Sequence, residues 1–196
     1  MKTKNIAFLL ALILGVGILR LYIPIPNFSP IAAMALTGGY LLGKNKWAFI
    51  VPISGLFISD LFLGLVSKAN ADYLFSISFV FVYISSILTV LIGSYVKKSG
   101  SWTKLAVAAI FSSVIYYLIT NFGAWLYDPI YTKDMAGLLQ SYAAGLVFYK
   151  QQFFGSFFFN HVMATLFFTF LIVACHSFLV NVLFSRMGTQ RAVSHK

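Results

Sequence analysis

Polar side chains interrupt the long apolar stretches of this chain, and they are the residues that could bind a ligand. Asp60 lies within an apolar run, where a short carboxylate needs a partner or a water-filled cavity. A buried amide such as Asn121 needs hydrogen-bond partners, which a ligand can supply. The polar residues converge in one half of the predicted helix bundle, and they are Arg20, Asn27, Asp60, Asn121, Trp125, Asn160 and His161. This set predicts a ligand-binding pocket in that half.

Each of these residues also has a structural interpretation. Arg20 and Asp60 lie at similar depth, so they can form a salt bridge, contact a ligand, or do both. A histidine such as His161 on an apolar helix is more often an interhelical hydrogen-bond donor than a ligand-binding group. His176 and Cys175 lie deeper, and no third metal ligand accompanies them, so they are interpreted as structural, with Cys175 a buried and inert thiol. No metal and no cofactor is predicted.

Six apolar segments position these side chains. The chain has 196 residues, 60% hydrophobic and 9% charged, and a soluble domain of this size could not bury so much apolar surface. We predict an all-α integral membrane protein with a single domain over residues 1–196. The predicted transmembrane helices are 5–22, 31–43, 47–66, 73–96, 105–127 and 153–184.

Three details of these segments are expectations in their own right. The first segment is interpreted as a retained helix, with a cleaved signal peptide as the alternative. The second is short, so it needs a tilted or re-entrant path, or part of the preceding loop must be buried in protein. The stretch from Met135 to Tyr149 is predicted to lie at the interface as an amphipathic helix.

The charges of the connecting loops predict an orientation. Nearly all basic loop residues occupy alternate connections, namely Lys2, Lys4, Lys44, Lys46, Lys97, Lys98, Lys104, Arg186, Arg191 and Lys196. Asp72, Asp128 and Asp134 occupy the other set, and Asp60 lies toward it. Because short loops rich in Lys and Arg stay in the cytoplasm, both termini are predicted to be cytoplasmic. The formal charge of +10 therefore suits anionic lipid headgroups, and no nucleic acid partner is expected.

Several activities have no motif in this sequence. There is no Gly-rich phosphate loop with Lys-Ser/Thr, no His-Glu-x-x-His and no Gly-x-Ser-x-Gly, so the chain is interpreted as neither an ATPase nor another enzyme. No pair of carboxylates shares a helix face at a catalytic spacing. Small residues recur at spacings of four, at Ala11 and Gly15, Ala35 and Gly39, and Gly39 and Gly43. They favour close helix contact, either within the chain or with a partner membrane protein.

Four strings of residues carry a family resemblance. They are Arg20-Leu21 with Pro26 to Leu36 and Gly38-Gly39, Val51-Pro52 with Ser59 to Gly64, Thr120 to Gly123 with Trp125, and Ala136 to Leu138 with Tyr142. Together they resemble an uncharacterised family of small six-helix bacterial membrane proteins over most of the chain. That family looks like the substrate-binding S components of energy-coupling factor vitamin transporters, a likeness that rests on size, six helices, inside termini and outer loops.

The resemblance implies a mechanism and further residues. An S component binds a vitamin near the outer face and topples against a transmembrane coupling subunit that two ATPases drive. Small residues on an early helix form its docking face, a role that Ala32, Ala35 and Gly39 could take here. Tyr142 joins the substrate-binding set. The cobalamin-binding S components look nearest, but they use a Cys near the pocket, and this chain has none in its outer half, so cobalamin is one candidate among related compounds.

The leading hypothesis is a membrane-embedded substrate-binding subunit for uptake of a vitamin-like micronutrient, in the bacterial cytoplasmic (inner) membrane as a multi-pass protein. A structural or assembly protein of the cell envelope without a small-molecule ligand is the alternative. A membrane-embedded enzyme acting on a lipid is a third hypothesis, and it would need a second acid or a metal near Asp60.

Overall fold

The computed structural model describes residues 11, 15, 18, 19, 22, 23, 25–66, 68, 72, 74, 76–96, 101–146 and 155–193, with side chains as far as residue 179. This part of the chain is all helical. Its six helices are α1 Ile31–Leu42, α2 Lys46–Val66, α3 Ser78–Val96, α4 Trp102–Tyr127, α5 Met135–Leu146 and α6 Phe157–Val193.

Four of these helices, α2, α3, α4 and α6, are long and apolar enough to cross a membrane. They correspond to the predicted helices at 47–66, 73–96, 105–127 and 153–184. The predicted helix at 5–22 lies largely outside the described residues. Helix α5 is the amphipathic stretch of the long connection, and its 12 residues are too few to cross. The six described helices are therefore not the six predicted transmembrane helices, although the all-α membrane architecture agrees.

Helix α1 lies at the centre of the bundle, where every residue from Ile31 to Leu41 is buried. It contacts α2, α3, α4 and α6. Its 12 residues extend about 18 Å, well short of about 30 Å of hydrocarbon. The preceding loop makes up part of the difference, because Pro30 is fully buried and Phe28 packs edge-on against Phe168 with ring centroids 5.7 Å apart. Only the end of that loop is buried, because Pro26 and Asn27 are exposed, and the path of this segment through a membrane stays a prediction.

Two glycines bring α1 and α3 into backbone contact. A Cβ built at Gly39 would collide with the Val90 carbonyl oxygen, and one built at Gly93 would collide with the Leu36 carbonyl oxygen. The two helices can approach this closely only because each lacks a side chain where it meets the other. Gly43 then ends α1 at a positive φ of 64°, which glycine adopts without strain.

Small hydroxyl residues fill much of the remaining interior. Ser86 donates to the Val82 carbonyl oxygen at 2.9 Å, and Ser113 donates to that of Ala109 at 2.9 Å. Thr165 of α6 bonds the His161 carbonyl oxygen in the same way, at 2.7 Å. Each hydroxyl is satisfied by its own helix, one turn back. Their small volume lets the helices pack closely without a hydrophobic driving force from water.

Helix α5 is fastened across the end of α4. The Asp134 carboxylate accepts the Gly137 backbone N–H at 2.8 Å and caps the helix. The Tyr117 hydroxyl donates to the Tyr142 carbonyl oxygen at 2.5 Å, and the Tyr142 hydroxyl donates to that of Leu118 at 3.2 Å. A Cβ at Gly145 would crowd Tyr117, so glycine permits this close approach. These contacts make α5 a cover over one end of the bundle.

The two ends of the bundle differ in charge. Lys44 lies between α1 and α2, Lys46 begins α2 and Lys104 lies in the first turn of α4, so all three lie at the end opposite α5. The Lys44 ammonium lies over the Tyr95 ring, 5.0 Å from its centroid, which places the turn after α1 beside the last residues of α3. Asp128 and Asp134 lie at the α5 end, together with one lysine, Lys133, whose ammonium donates to the Asp128 carbonyl oxygen. The predicted separation of charge along the bundle axis is therefore present, whereas the side of the membrane is not shown.

Candidate ligand-binding site at the α5 end

Two neighbouring cavities lie at the α5 end of the bundle. The smaller has a volume of about 230 Å³ and the larger about 370 Å³. Asn27, Tyr116 and His161 line both, so these three side chains form the boundary between them. Together the cavities reach the lower part of the size range usual for small-molecule pockets.

The larger cavity lies between the loop before α1 and the helices α2, α3, α4 and α6. Asp60 of α2 lines it and is 8% exposed, and Ser29 lies on the loop side. Apolar side chains, including Phe28, Leu56 and Val82, form the rest of its wall. A carboxylate in such a wall favours hydrogen-bond donors or positive charge in whatever occupies the cavity.

The smaller cavity lies under α5 and is lined by aromatic rings. Tyr117 and Phe158 pack with centroids 4.9 Å apart, and Tyr131 closes one side. Asn121 adds an amide, although its Nδ2 already donates to the Tyr117 carbonyl oxygen at 2.9 Å. Burial, followed by the neighbouring Asp128 charge, raises the pKa of Tyr131, so its phenol stays protonated and able to donate.

His161 is the polar group with the strongest demand for a partner at this site. Its imidazole stacks on Tyr116 with centroids 4.2 Å apart and planes inclined by 19°. The side chain is 7% exposed, and its Nε2 has no hydrogen-bond partner within the described part of the chain. A buried polar atom without a partner costs roughly 1–3 kcal/mol. The residue lines both cavities, whereas Nε2 itself has almost no exposed surface.

The backbone at Asn27 holds the loop in an uncommon conformation. Asn27 has a φ of 58°, which asparagine tolerates better than other residues with a side chain. The adjacent Pro26 carbonyl oxygen accepts a hydrogen bond from Asn160 Nδ2 at 2.8 Å, which ties the loop to α6. This arrangement directs the Asn27 side chain to the boundary of both cavities.

Comparison with known proteins adds one finding. The model of DUF6580, a family of unknown function, matches residues 1–184, which is most of the chain. The chain belongs to this family. No curated protein and no solved structure matches it. Membership in DUF6580 assigns no ligand and makes no link to S components, so that further likeness stays a prediction.

In this DUF6580 chain the structure brings together four of the eight predicted substrate-binding residues. Asn27, Asp60, Asn121 and His161 line one or both cavities. Arg20 lies outside the described residues, and so does its predicted salt bridge with Asp60. The other three predicted residues, Trp125, Tyr142 and Asn160, line neither of these two cavities.

Those three side chains form hydrogen bonds that hold together the segments around the site. Trp125 Nε1 donates to the Thr132 carbonyl oxygen at 2.9 Å and so anchors the connection between α4 and α5. Tyr142 fastens α5 to α4. Asn160 is fully buried and holds the Pro26 carbonyl. The predicted depth of a polar residue does not show whether its side chain lines a cavity or bonds a neighbouring segment, and the role of this set in binding stays a prediction.

Sequence reasoning missed the aromatic lining. Tyr116 and Tyr117 lie one turn before Thr120 and Asn121 on α4, a spacing that places them beside those residues. Their proximity to Asn121 was the available signal. An interfacial aromatic belt is the commoner explanation for tyrosine in a membrane helix, and it hides this signal.

Three residues assigned to partner docking are interior residues. Ala32 is 6% exposed and Ala35 is fully buried, while Gly39 meets the backbone of α3. Their small size serves contact within the chain, which was the alternative interpretation, and they present no face to a partner. Cys175 is exposed on α6, so its predicted burial is wrong. The described residues contain no group of three His, Cys, Asp or Glu side chains that could hold a metal.

Proposed function

We propose that this protein is a membrane-embedded binding subunit for the uptake of a small vitamin-like solute. The observation that carries the proposal is His161, a buried imidazole that lines both cavities and whose Nε2 has no hydrogen-bond partner among the described residues. Cavities with a few convergent polar groups on mostly apolar walls are the usual form of a ligand site. Asn27 and Asp60 supply the other convergent groups.

The lining favours a ligand with two unlike ends. Asp60 and Ser29 suit an end that carries hydrogen-bond donors or a positive charge. The aromatic walls of the smaller cavity, including Tyr117 and Phe158, suit a flat ring. His161 would bond the middle of such a molecule. A compound of the size of a simple heterocyclic vitamin matches these cavities, whereas a complete cobalamin is larger than both together.

Orientation and partners belong to the same proposal. The α5 end would face outward and the lysine-rich end the cytoplasm, as the positive-inside rule favours for a protein of the bacterial inner membrane. A transmembrane coupling subunit with two ATPases would move the solute, as the likeness to S components implies. Because α1 is enclosed, such a subunit would have to contact an exposed apolar face of the outer helices.

The test is thermal unfolding of the detergent-solubilised protein with a panel of vitamins, their precursors and corrinoids. At a hundred times its dissociation constant a ligand adds about 2.7 kcal/mol to stability, a shift of several degrees. We expect such a shift with at least one small heterocyclic compound. No shift with any member of the panel would favour the structural or assembly alternative, in which Asp60 serves only internal contacts.

A further inference from the structure

An open groove of about 610 Å³ lies between α3 and α4 at the end opposite α5. Its walls are mostly apolar, with Ile92 and Val96 on α3 facing Val107 and Phe111 on α4. It is larger than either cavity of the proposed solute site and shares no residue with them. The groove opens on the outer surface of the bundle, where Val107 is 60% exposed.

Positive charge is concentrated at the rim of this groove. Lys104, in the first turn of α4, lines it directly. Lys44 lies beside the groove, because its ammonium is 5.0 Å from the ring centroid of Tyr95, which lines the groove. All four acidic residues of the chain lie in the half of the bundle nearer α5. Within the described part of the chain, no carboxylate side chain therefore competes with an external anion for these ammonium groups.

We propose that this groove binds one anionic phospholipid, with an acyl chain between α3 and α4 and the headgroup phosphate at Lys104 and Lys44. An acyl chain gains packing contacts from the groove, but no hydrophobic driving force, because the alternative is the lipid around it. Selectivity comes from the headgroup. Each lysine near the membrane surface favours an anionic lipid by roughly fivefold.

An apolar groove with lysines at its rim differs from a basic surface that attracts anionic lipids in general. Lys46 lies at the same end and is exposed, but it stacks over Trp47, 5.7 Å from its ring centroid, and does not line the groove. On α4, Ile110 is exposed like Val107 but lies outside the groove. These two residues provide matched controls for charge and for bulk.

The test is native mass spectrometry of the full chain released from nanodiscs that contain equal amounts of phosphatidylglycerol and phosphatidylcholine. The wild type should retain one phosphatidylglycerol at least tenfold more often than phosphatidylcholine. Lys104→Gln should reduce that preference roughly fivefold, and Lys46→Gln should leave it unchanged. Val107→Trp should displace the lipid by filling the groove, whereas Ile110→Trp should not.

Three results would overturn the proposal. They are equal retention of the two lipids by the wild type, an equal effect of Lys104→Gln and Lys46→Gln, and retention that survives Val107→Trp. Thermal stability provides an independent readout. Added phosphatidylglycerol should stabilise the wild type and inorganic phosphate should not, because phosphate cannot occupy the apolar groove. Equal stabilisation by phosphate would refute the role of the acyl chain. The solute site plays no part in any of these outcomes.

Discussion

The imidazole of His161 stacks on Tyr116, and its buried Nε2 has no hydrogen-bond partner among the described residues. Both residues of this stacked pair line both cavities. Thr169, two turns further along α6, is a second buried polar residue whose hydroxyl has no hydrogen-bond partner among the described residues. Both residues are buried, but His161 lines both cavities and Thr169 lines neither.

Substituting each of them separates a binding role from a folding role. His161→Phe keeps a ring that can stack on Tyr116 and removes the unsatisfied nitrogen, so we expect unchanged or slightly higher thermal stability. The affinity for the solute should fall about tenfold, or about 1.4 kcal/mol. Thr169→Val should likewise preserve stability but leave solute affinity unchanged. Both are measured by thermal unfolding with and without the compound that stabilises the wild type. An equal loss of affinity in the two variants would remove His161 from the site.

At the scale of elements, α1 and α3 cross in backbone contact at Gly39 and Gly93. Gly39→Ala or Gly93→Ala places a methyl group against a backbone carbonyl, which a rotamer change cannot relieve. We expect each to destabilise the protein by about 1–3 kcal/mol, the range for overpacking. Gly15→Ala is the matched control, because a Cβ there meets nothing within 4 Å. Thermal unfolding that shows no difference between Gly39→Ala and Gly15→Ala would contradict the packing described for α1 and α3.

Helix α5 depends on a titratable cap. The Gly137 N–H, and then the Thr132 hydroxyl, hold the pKa of Asp134 below its ordinary value of 3.8. Since the folded state lowers this pKa, the capping contribution is complete above 3.8 and is lost as the pH falls through the lower, folded value. Hydrogen-exchange protection of α5 should therefore fall in that acidic range. Asp134→Asn keeps a cap without titrating, so its protection should not show this step. A step of the same size in Asp134→Asn would assign the effect to another group.

At the scale of the molecule, the separation of lysines from aspartates predicts the orientation. Cysteine reporters in a Cys175→Ser background test it, with Lys44→Cys at one end and Gln140→Cys on α5, both exposed positions. On intact cells a membrane-impermeant maleimide should label Gln140→Cys, and it should label Lys44→Cys only after permeabilisation. The reverse pattern would place the proposed solute site on the cytoplasmic side and exclude uptake from outside.

The membrane helices could be predicted from sequence because apolar runs of this length have few other solutions. Asp60 and His161 could be assigned to one half of the bundle because depth follows from position along a helix. The rotation of each helix about its own axis could not be derived from sequence. Small residues such as Ser85 and Gly39 do not mark one face of a helix as strongly apolar or polar, so they leave little amphipathic signal. For that reason Ala35 and Gly39 were assigned to partner docking, whereas the structure encloses α1 within the bundle.

The central claim is that the cavities beside His161 hold a small molecule, and the most direct measurement is to identify what the purified protein carries. Protein from native membranes is denatured, and the released compounds are analysed by mass spectrometry. Ala144 and Ala143 are adjacent exposed residues of α5, but only Ala144 lines a cavity, so Ala144→Trp plugs the site and Ala143→Trp controls for bulk. We expect a near-stoichiometric low-mass compound from the wild type and from Ala143→Trp, and none from Ala144→Trp. Release of the same compounds from all three proteins, or of lipids alone, would contradict it.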